Sequence, residues 1–220
     1  MPTAIEPELV TFKTWIFRLR QPEGKASRIL LLLHGWKGDE NSMWVFAHNL
    51  SPEYVILGPR GPFQEPDGGY SWRDIKAGKW GKASLEDLQP SAEKLYRFVE
   101  DWSASAGLDA SQFDLMGFSQ GAAMAYSLAL LHPERIRKLA ILSGFIPEGG
   151  EALIGMKKLA GKAVFMTHGR QDELIRVERA RSAQALLKES GAQVTYCESD
   201  TAHKVSRECL IEMERYFAAF

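Results

Sequence analysis

Five consecutive residues, Gly117-Phe118-Ser119-Gln120-Gly121, set a serine between glycines at a point where an apolar run gives way to a helical one. Phe113-Asp114-Leu115-Met116 reads as a buried strand, and the stretch from Ala122 to Leu131 reads as a helix. G-x-S-x-G at a strand-to-helix junction is a nucleophile elbow, a turn so sharp that the serine adopts strained backbone geometry and its hydroxyl stands clear of the sheet. Small neighbours are needed there, and Gly117, Gly121, Ala122 and Ala123 are small. The chemistry such a serine serves is attack on an acyl carbonyl.

A serine hydroxyl is a weak nucleophile until an imidazole takes its proton, and the imidazole needs a carboxylate to fix its tautomer. Ser, then acid, then His is the chain order expected after an elbow of this kind. His203 is the favoured base, because it lies on a loop between a strand over Val194–Cys197 and the last helix. The favoured acid is Asp172, on a loop that follows the strand over Ala163–Thr167. Asp200, three residues before His203, is its competitor, readable also as a turn former or helix cap. His48 and His132 read as structural or solvated, His34 and His168 as braces of loops at strand ends, and Asp114 as a strand residue. The oxyanion that forms needs backbone donors. The amide of Gln120 at the helix N-terminus is one, and that of Trp36, in the loop His34-Gly35-Trp36-Lys37-Gly38-Asp39, is expected as the second. Trp36, Phe63, Trp72, Phe145, Ile146, Leu174 and Ile175 fall on loops expected near these groups and are candidates for an apolar acyl pocket.

The elements that must position these groups alternate. Strands are expected over Val10–Arg18, Arg28–Leu33, Tyr54–Leu57, Phe113–Met116, Lys138–Leu142, Ala163–Thr167 and Val194–Cys197. Helices are expected over Asn41–Leu50, Leu85–Ala106, Gln120–His132, Val177–Ser190 and Ser206–Ala219. Such alternation implies βαβ crossovers, hence an α/β fold with a mostly parallel sheet and helices on both faces. The first two strands are expected to form an antiparallel pair around the turn Gln21-Pro22-Glu23-Gly24. Residues Pro59–Ser84 form a long Gly- and Pro-rich connection, of the kind that usually serves a site.

With 220 residues and 45% hydrophobic content, the chain is expected to form one domain over residues 1–220. A net charge of -1 with scattered Lys and Arg provides no footprint for nucleic acid, and no apolar run is long enough for stable membrane insertion. The N-terminal residues lack a signal-peptide pattern, so a cytoplasmic location is expected. Cys197 and Cys209 are not spaced as CxxC and are expected as two free buried thiols. No P-loop, dinucleotide or H-E-x-x-H spacing occurs, so neither a metal nor any other cofactor is expected.

Several segments together resemble the phospholipase/carboxylesterase family of α/β-hydrolases, which includes acyl-protein thioesterases and small bacterial carboxylesterases. They are Leu33–Asn41 (LHGWKGDEN), Gly58-Pro59-Arg60-Gly61-Pro62, Gly117–Gly121 (GFSQG), Leu142-Ser143-Gly144, His168–Asp172 (HGRQD) and Ala202-His203. The resemblance implies an α/β-hydrolase fold with an antiparallel N-terminal strand and no lid domain. It implies Ser119 as nucleophile, Asp172 and His203 as its partners, and Trp36 and Gln120 as oxyanion donors. The chain departs from the family where Ala202 replaces a glycine before the histidine, and where the loop after His34 is one residue longer than in thioesterases, as in bacterial esterases. The expected activity is hydrolysis of a small-molecule carboxylic ester of short to medium acyl chain through an acyl-enzyme. Thioester or lysophospholipid cleavage and a non-catalytic ligand-binding role are the alternatives, and a homodimer is left open.

Overall fold

The structure is a computed structural model that describes residues 7–24, 28–75 and 83–219. Ten strands are described: β1 (Glu8–Phe12), β2 (Trp15–Arg20), β3 (Arg28–Leu33), β4 (Tyr54–Pro59), β5 (Phe63–Gln64), β6 (Tyr70–Ser71), β7 (Phe113–Phe118), β8 (Ile136–Leu142), β9 (Ala163–Gly169) and β10 (Gln193–Ser199). The helices are α1 (Leu85–Ser105), α2 (Gln120–Leu131), α3 (Gly150–Gly155), α4 (Val177–Glu189) and α5 (Arg207–Ala218). Among the described residues, eight strands form one sheet in the order β1-β2-β4-β3-β7-β8-β9-β10. β1, β2 and β4 are joined by antiparallel pairing, and every pairing from β4 to β10 is parallel. This is the mostly parallel sheet of an α/β-hydrolase fold.

Strand residues alternate between two cores because successive side chains leave opposite faces of a sheet. In β3, Ile29, Leu31 and Leu33 join the core beneath α1–α4, while Leu30 and Leu32 join the core beneath α5 and the segment around Met43–Leu50. Both faces are therefore buried, which is why β3 reads as an unbroken apolar run. The helix α1 begins with a capping box, Ser84 Oγ accepting from the Asp87 amide while Asp87 accepts from the Ser84 amide. Its Leu88, Ala92, Leu95, Phe98, Val99 and Trp102 face the sheet, as their helical spacing requires.

Four expectations need correction. The single strand over Val10–Arg18 is two strands, β1 and β2, folded back at Lys13, whose φ is 54°. The antiparallel neighbour of β2 is β4, with Phe17 opposite Pro59, and not the strand that follows it in sequence; β3 is inserted one place further in. The helix expected over Asn41–Leu50 is a series of turns with one short 3-10 segment at Trp44–Phe46. Asp39 competes for the backbone there, accepting from the Asn41 amide and the Ser42 hydroxyl, the kind of local side-chain bonding that replaces a helix. Finally, Cys197 and Cys209 are not free thiols: they form a disulfide between β10 and α5, with Cα atoms 5.5 Å apart. Sequence spacing alone does not show that the strand and helix meet at those residues.

The connection from Pro59 to Ser84 carries the small β5–β6 ribbon, and Tyr70 also bridges to Gly38. Its residues 76–82 lie outside the described residues.

Candidate active site

Ser119 occupies the sharp turn between β7 and α2 with φ 54° and ψ −115°. The geometry is held on both sides. The Ser119 amide donates to the Leu142 carbonyl at 2.9 Å, and the Ser119 carbonyl accepts from the amides of Ala122 and Ala123. The turn tolerates only glycine at its flanks: a Cβ on Gly117 would lie 2.2 Å from the Gly121 carbonyl oxygen, and one on Gly121 would lie 2.0 Å from that of Leu33. A backbone held in so sparsely populated a region persists because the surroundings over-determine it.

His203 lies on the loop between β10 and α5, with Nε2 2.9 Å from Ser119 Oγ and Nδ1 2.6 Å from Asp172 Oδ2. A carboxylate accepts, so Nδ1 carries the proton and Nε2 is left as the acceptor facing the hydroxyl. Asp172 is fully buried, and its other oxygen accepts from the amides of Leu174 at 3.0 Å and Ile175 at 2.9 Å. The chain thus meets the carboxylate with donors on both oxygens, the arrangement that fixes a buried carboxylate in one orientation. The competitor, Asp200, is exposed and paired with Arg170 at 2.6 Å.

The loops that carry Asp172 and His203 are tied to each other. The amide of Arg170 donates to the Ser199 carbonyl and that of Gln171 to Thr201. The disulfide closes the segment around His203 by joining Cys197, before it, to Cys209, after it.

Two further histidines brace the surroundings. His168 is buried, and its Nε2 donates to the Ile175 carbonyl at 2.7 Å while lying 3.3 Å from Asp172 Oδ2. Burial pushes its pKa down, which favours the neutral ring. His34 is also buried with its pKa pushed down by burial, and it links two loops: Nδ1–H donates to Gly35 O at 2.7 Å and Nε2 accepts from the Gly61 amide at 2.9 Å.

The candidate oxyanion donors flank Ser119 from two directions. Gln120 begins α2, where the first amides have no intrahelical acceptor. The loop after β3 packs against the serine, since a Cβ on Gly35 would lie 3.4 Å from Ser119 Cβ, and Trp36 follows directly. The Gln120 side chain does separate work. Its Oε1 accepts from the Trp72 amide at 3.0 Å, and its buried Nε2 has no hydrogen-bond partner among the described residues. Trp72 in turn donates its indole N–H to the His34 carbonyl at 2.8 Å and packs its ring 4.9 Å from that of His34.

The pocket candidates divide by exposure. Trp72, Phe145, Ile146 and Ile175 are buried in the core under α1–α4, so they present little free surface. Leu174, Trp36 and Phe63 are exposed. Glu40 and Arg60 were not singled out from sequence; they pair through two hydrogen bonds, at 2.7 and 2.8 Å, and fasten the loop after β3 to the one after β4. The motif segments around them carried the only signal, since pairing across two loops has no local spacing. Among the described residues no cluster of metal-ligating side chains occurs, and no helix is long and apolar enough to cross a membrane.

A sheet of this topology with a serine elbow at the end of its fifth strand in spatial order defines a hydrolase architecture, and the chain belongs to the phospholipase/carboxylesterase family, whose model matches residues 16–219. Among its relatives is the protein MhqD of Bacillus subtilis, 27% identical over 186 residues, which cover 84% of this chain and 90% of that protein. Acyl-protein thioesterase 1 of Kluyveromyces lactis is 28% identical over 174 residues, covering 72% and 75% of the two chains. In three dimensions the chain is similar to a carboxylesterase from Mesorhizobium loti, with a TM-score of 0.81 and 23% identity over 98% of this chain and 100% of the other.

Proposed function

We propose that the chain is a serine carboxylesterase in which Ser119 attacks the acyl carbonyl, His203 accepts and then returns the proton, and Asp172 orients and stabilises the imidazolium. The observation that carries this reading is the unbroken series from Ser119 Oγ to His203 Nε2 at 2.9 Å and from His203 Nδ1 to Asp172 at 2.6 Å. Attack forms a tetrahedral oxyanion held by the amides of Trp36 and Gln120; collapse expels the alcohol, protonated by His203, and leaves an acyl-enzyme. Water activated by the same imidazole releases the acid.

Trp36 and Leu174, both exposed, are the apolar surface assigned to the acyl chain, and short to medium esters are the proposed substrates. The same atoms cleave a thioester, and the 28% identity to a protein named as an acyl-protein thioesterase supports that second reading. Two cores on opposite faces of one sheet support the reading of residues 1–220 as one domain. The cysteines do not support the expected cytoplasmic location, since a disulfide persists most readily in an oxidising compartment.

A panel of p-nitrophenyl esters and acyl thioesters of graded length tests the substrate class. The ester reading expects kcat/KM to peak on short to medium oxyesters and to vanish in Ser119→Ala with the far-UV circular dichroism unchanged. Preference for long-chain thioesters would transfer the assignment to a thioesterase, and undiminished turnover in Ser119→Ala would remove the nucleophile.

A further inference from the structure

A cavity of about 520 Å³ opens between the β1–β2 turn, the residues after β4 and the part of α1 that carries Lys94, Arg97, Phe98 and Asp101. None of Ser119, His203, Asp172, Trp36 or Gln120 lines it, so it is not the site described above. Its size is in the range of small-molecule sites. Aromatic and apolar groups form much of its wall: Trp15, half-buried with its ring tilted by 30° against that of Phe98 at 4.9 Å, together with Ile16, Pro62 and Tyr70.

Charge at the rim is one-sided. Four cations line the cavity, Lys13, Arg60, Lys94 and Arg97, against one acid, Asp101. Two of the four are already engaged. Lys13 pairs with Asp101 at 2.6 Å, and Arg60 is held by both oxygens of buried Glu40 and lies over the Tyr70 ring. Lys94 and Arg97 have no ion pair among the described residues. They sit three positions apart on α1, hence on one side of that helix, and both are exposed at the cavity. An apolar aromatic wall beneath two cations that have no ion pair among the described residues is complementary to a flat apolar body that carries one negative group at its edge. The rings of Trp15 and Tyr70 favour an aromatic body over an aliphatic chain, because rings pack against rings in offset or edge-on contact beyond simple area burial.

We propose that this cavity is a second binding site, for a small aromatic carboxylate whose ring lies against Trp15 and whose carboxylate is held by Lys94 and Arg97. The site is defined by residues outside the candidate catalytic machinery, so it stands whether or not Ser119 is the nucleophile.

The test is calorimetric titration with 2-naphthoate, beside its neutral counterpart 2-naphthalenemethanol, on the wild-type protein and on the double variant Lys94→Glu/Arg97→Glu. Both substitutions lie on an exposed helix surface and are expected to leave folding and p-nitrophenyl ester turnover unchanged. We expect saturable 2-naphthoate binding that weakens on the order of tenfold in the double variant and falls with added salt, with the neutral compound binding more weakly than the acid. Equal affinity in wild type and double variant, equal affinity for acid and alcohol, or no binding at millimolar ligand would overturn the proposal. So would purely competitive inhibition of ester turnover with an inhibition constant equal to the dissociation constant, since that would seat the ligand beside Ser119.

Discussion

Asp172 accepts from the amides of Leu174 and Ile175 on one oxygen and from His203 on the other, with His168 3.3 Å away. An amide in its place would have to present an N–H to at least one donor, and His203 would then turn its ring or its tautomer. Asp172→Asn is therefore expected to lower kcat on the order of 10⁴-fold, by analogy with the same change in a well-studied serine protease. Asp200→Asn removes only an exposed pair with Arg170 and is expected to leave kcat within about twofold. Steady-state kinetics on the two variants checks the ranking, and the reverse order would move the acid role to Asp200. At this scale the sequence was informative wherever a residue's chemistry depends on its own strand-loop junction: Ser119 lies in its elbow, while Asp172 and His203 each follow a strand. It marked His168 as a loop brace without naming what it holds, and it was silent on the Gln120 side chain, because their partners, Ile175 O and the Trp72 amide, are brought to them only by folding.

Among the elements, the parallel part of the sheet and its long helices were legible because their periodicities are strong. The long amphipathic α1 and the unbroken apolar β3 leave no competing interpretation. The N-terminal strands were not, because a two-residue reversal at Lys13 and Thr14 interrupts a pattern that otherwise continues, and Lys13 is not a residue type that announces a positive φ. Nor does any local feature state that Cys197 of β10 lies beside Cys209 of α5. That cross-link closes a short loop, with a sequence separation of 12, and the chain-entropy model gives such a loop a stabilisation of about 3 kcal/mol. Urea unfolding with and without a reducing agent is expected to show a loss of about that size. In Cys197→Ser/Cys209→Ser the added reductant should have no further effect. A midpoint indifferent to reductant in the wild-type protein would contradict the cross-link.

For the molecule as a whole, His34 and His168 impose a common pH dependence. Both are buried, burial lowers both pKa values below the ordinary 6.5, and the unfolded chain therefore takes up protons that the folded one refuses. Their contribution is complete above about pH 6.5 and is lost as the pH falls toward the lowered folded values. The urea midpoint is expected to be lower at pH 5.5 than at pH 7.5, and an equal or higher midpoint at pH 5.5 would contradict two neutral buried rings. The central claim, that folding assembles Ser119, His203 and Asp172 into one reactive group, is tested most directly by intact-protein mass spectrometry after exposure to a fluorophosphonate. We expect a single adduct that maps to Ser119 in the native protein and is lost in His203→Ala and on urea unfolding. Labelling at another residue, or labelling that survives removal of the imidazole, would contradict it.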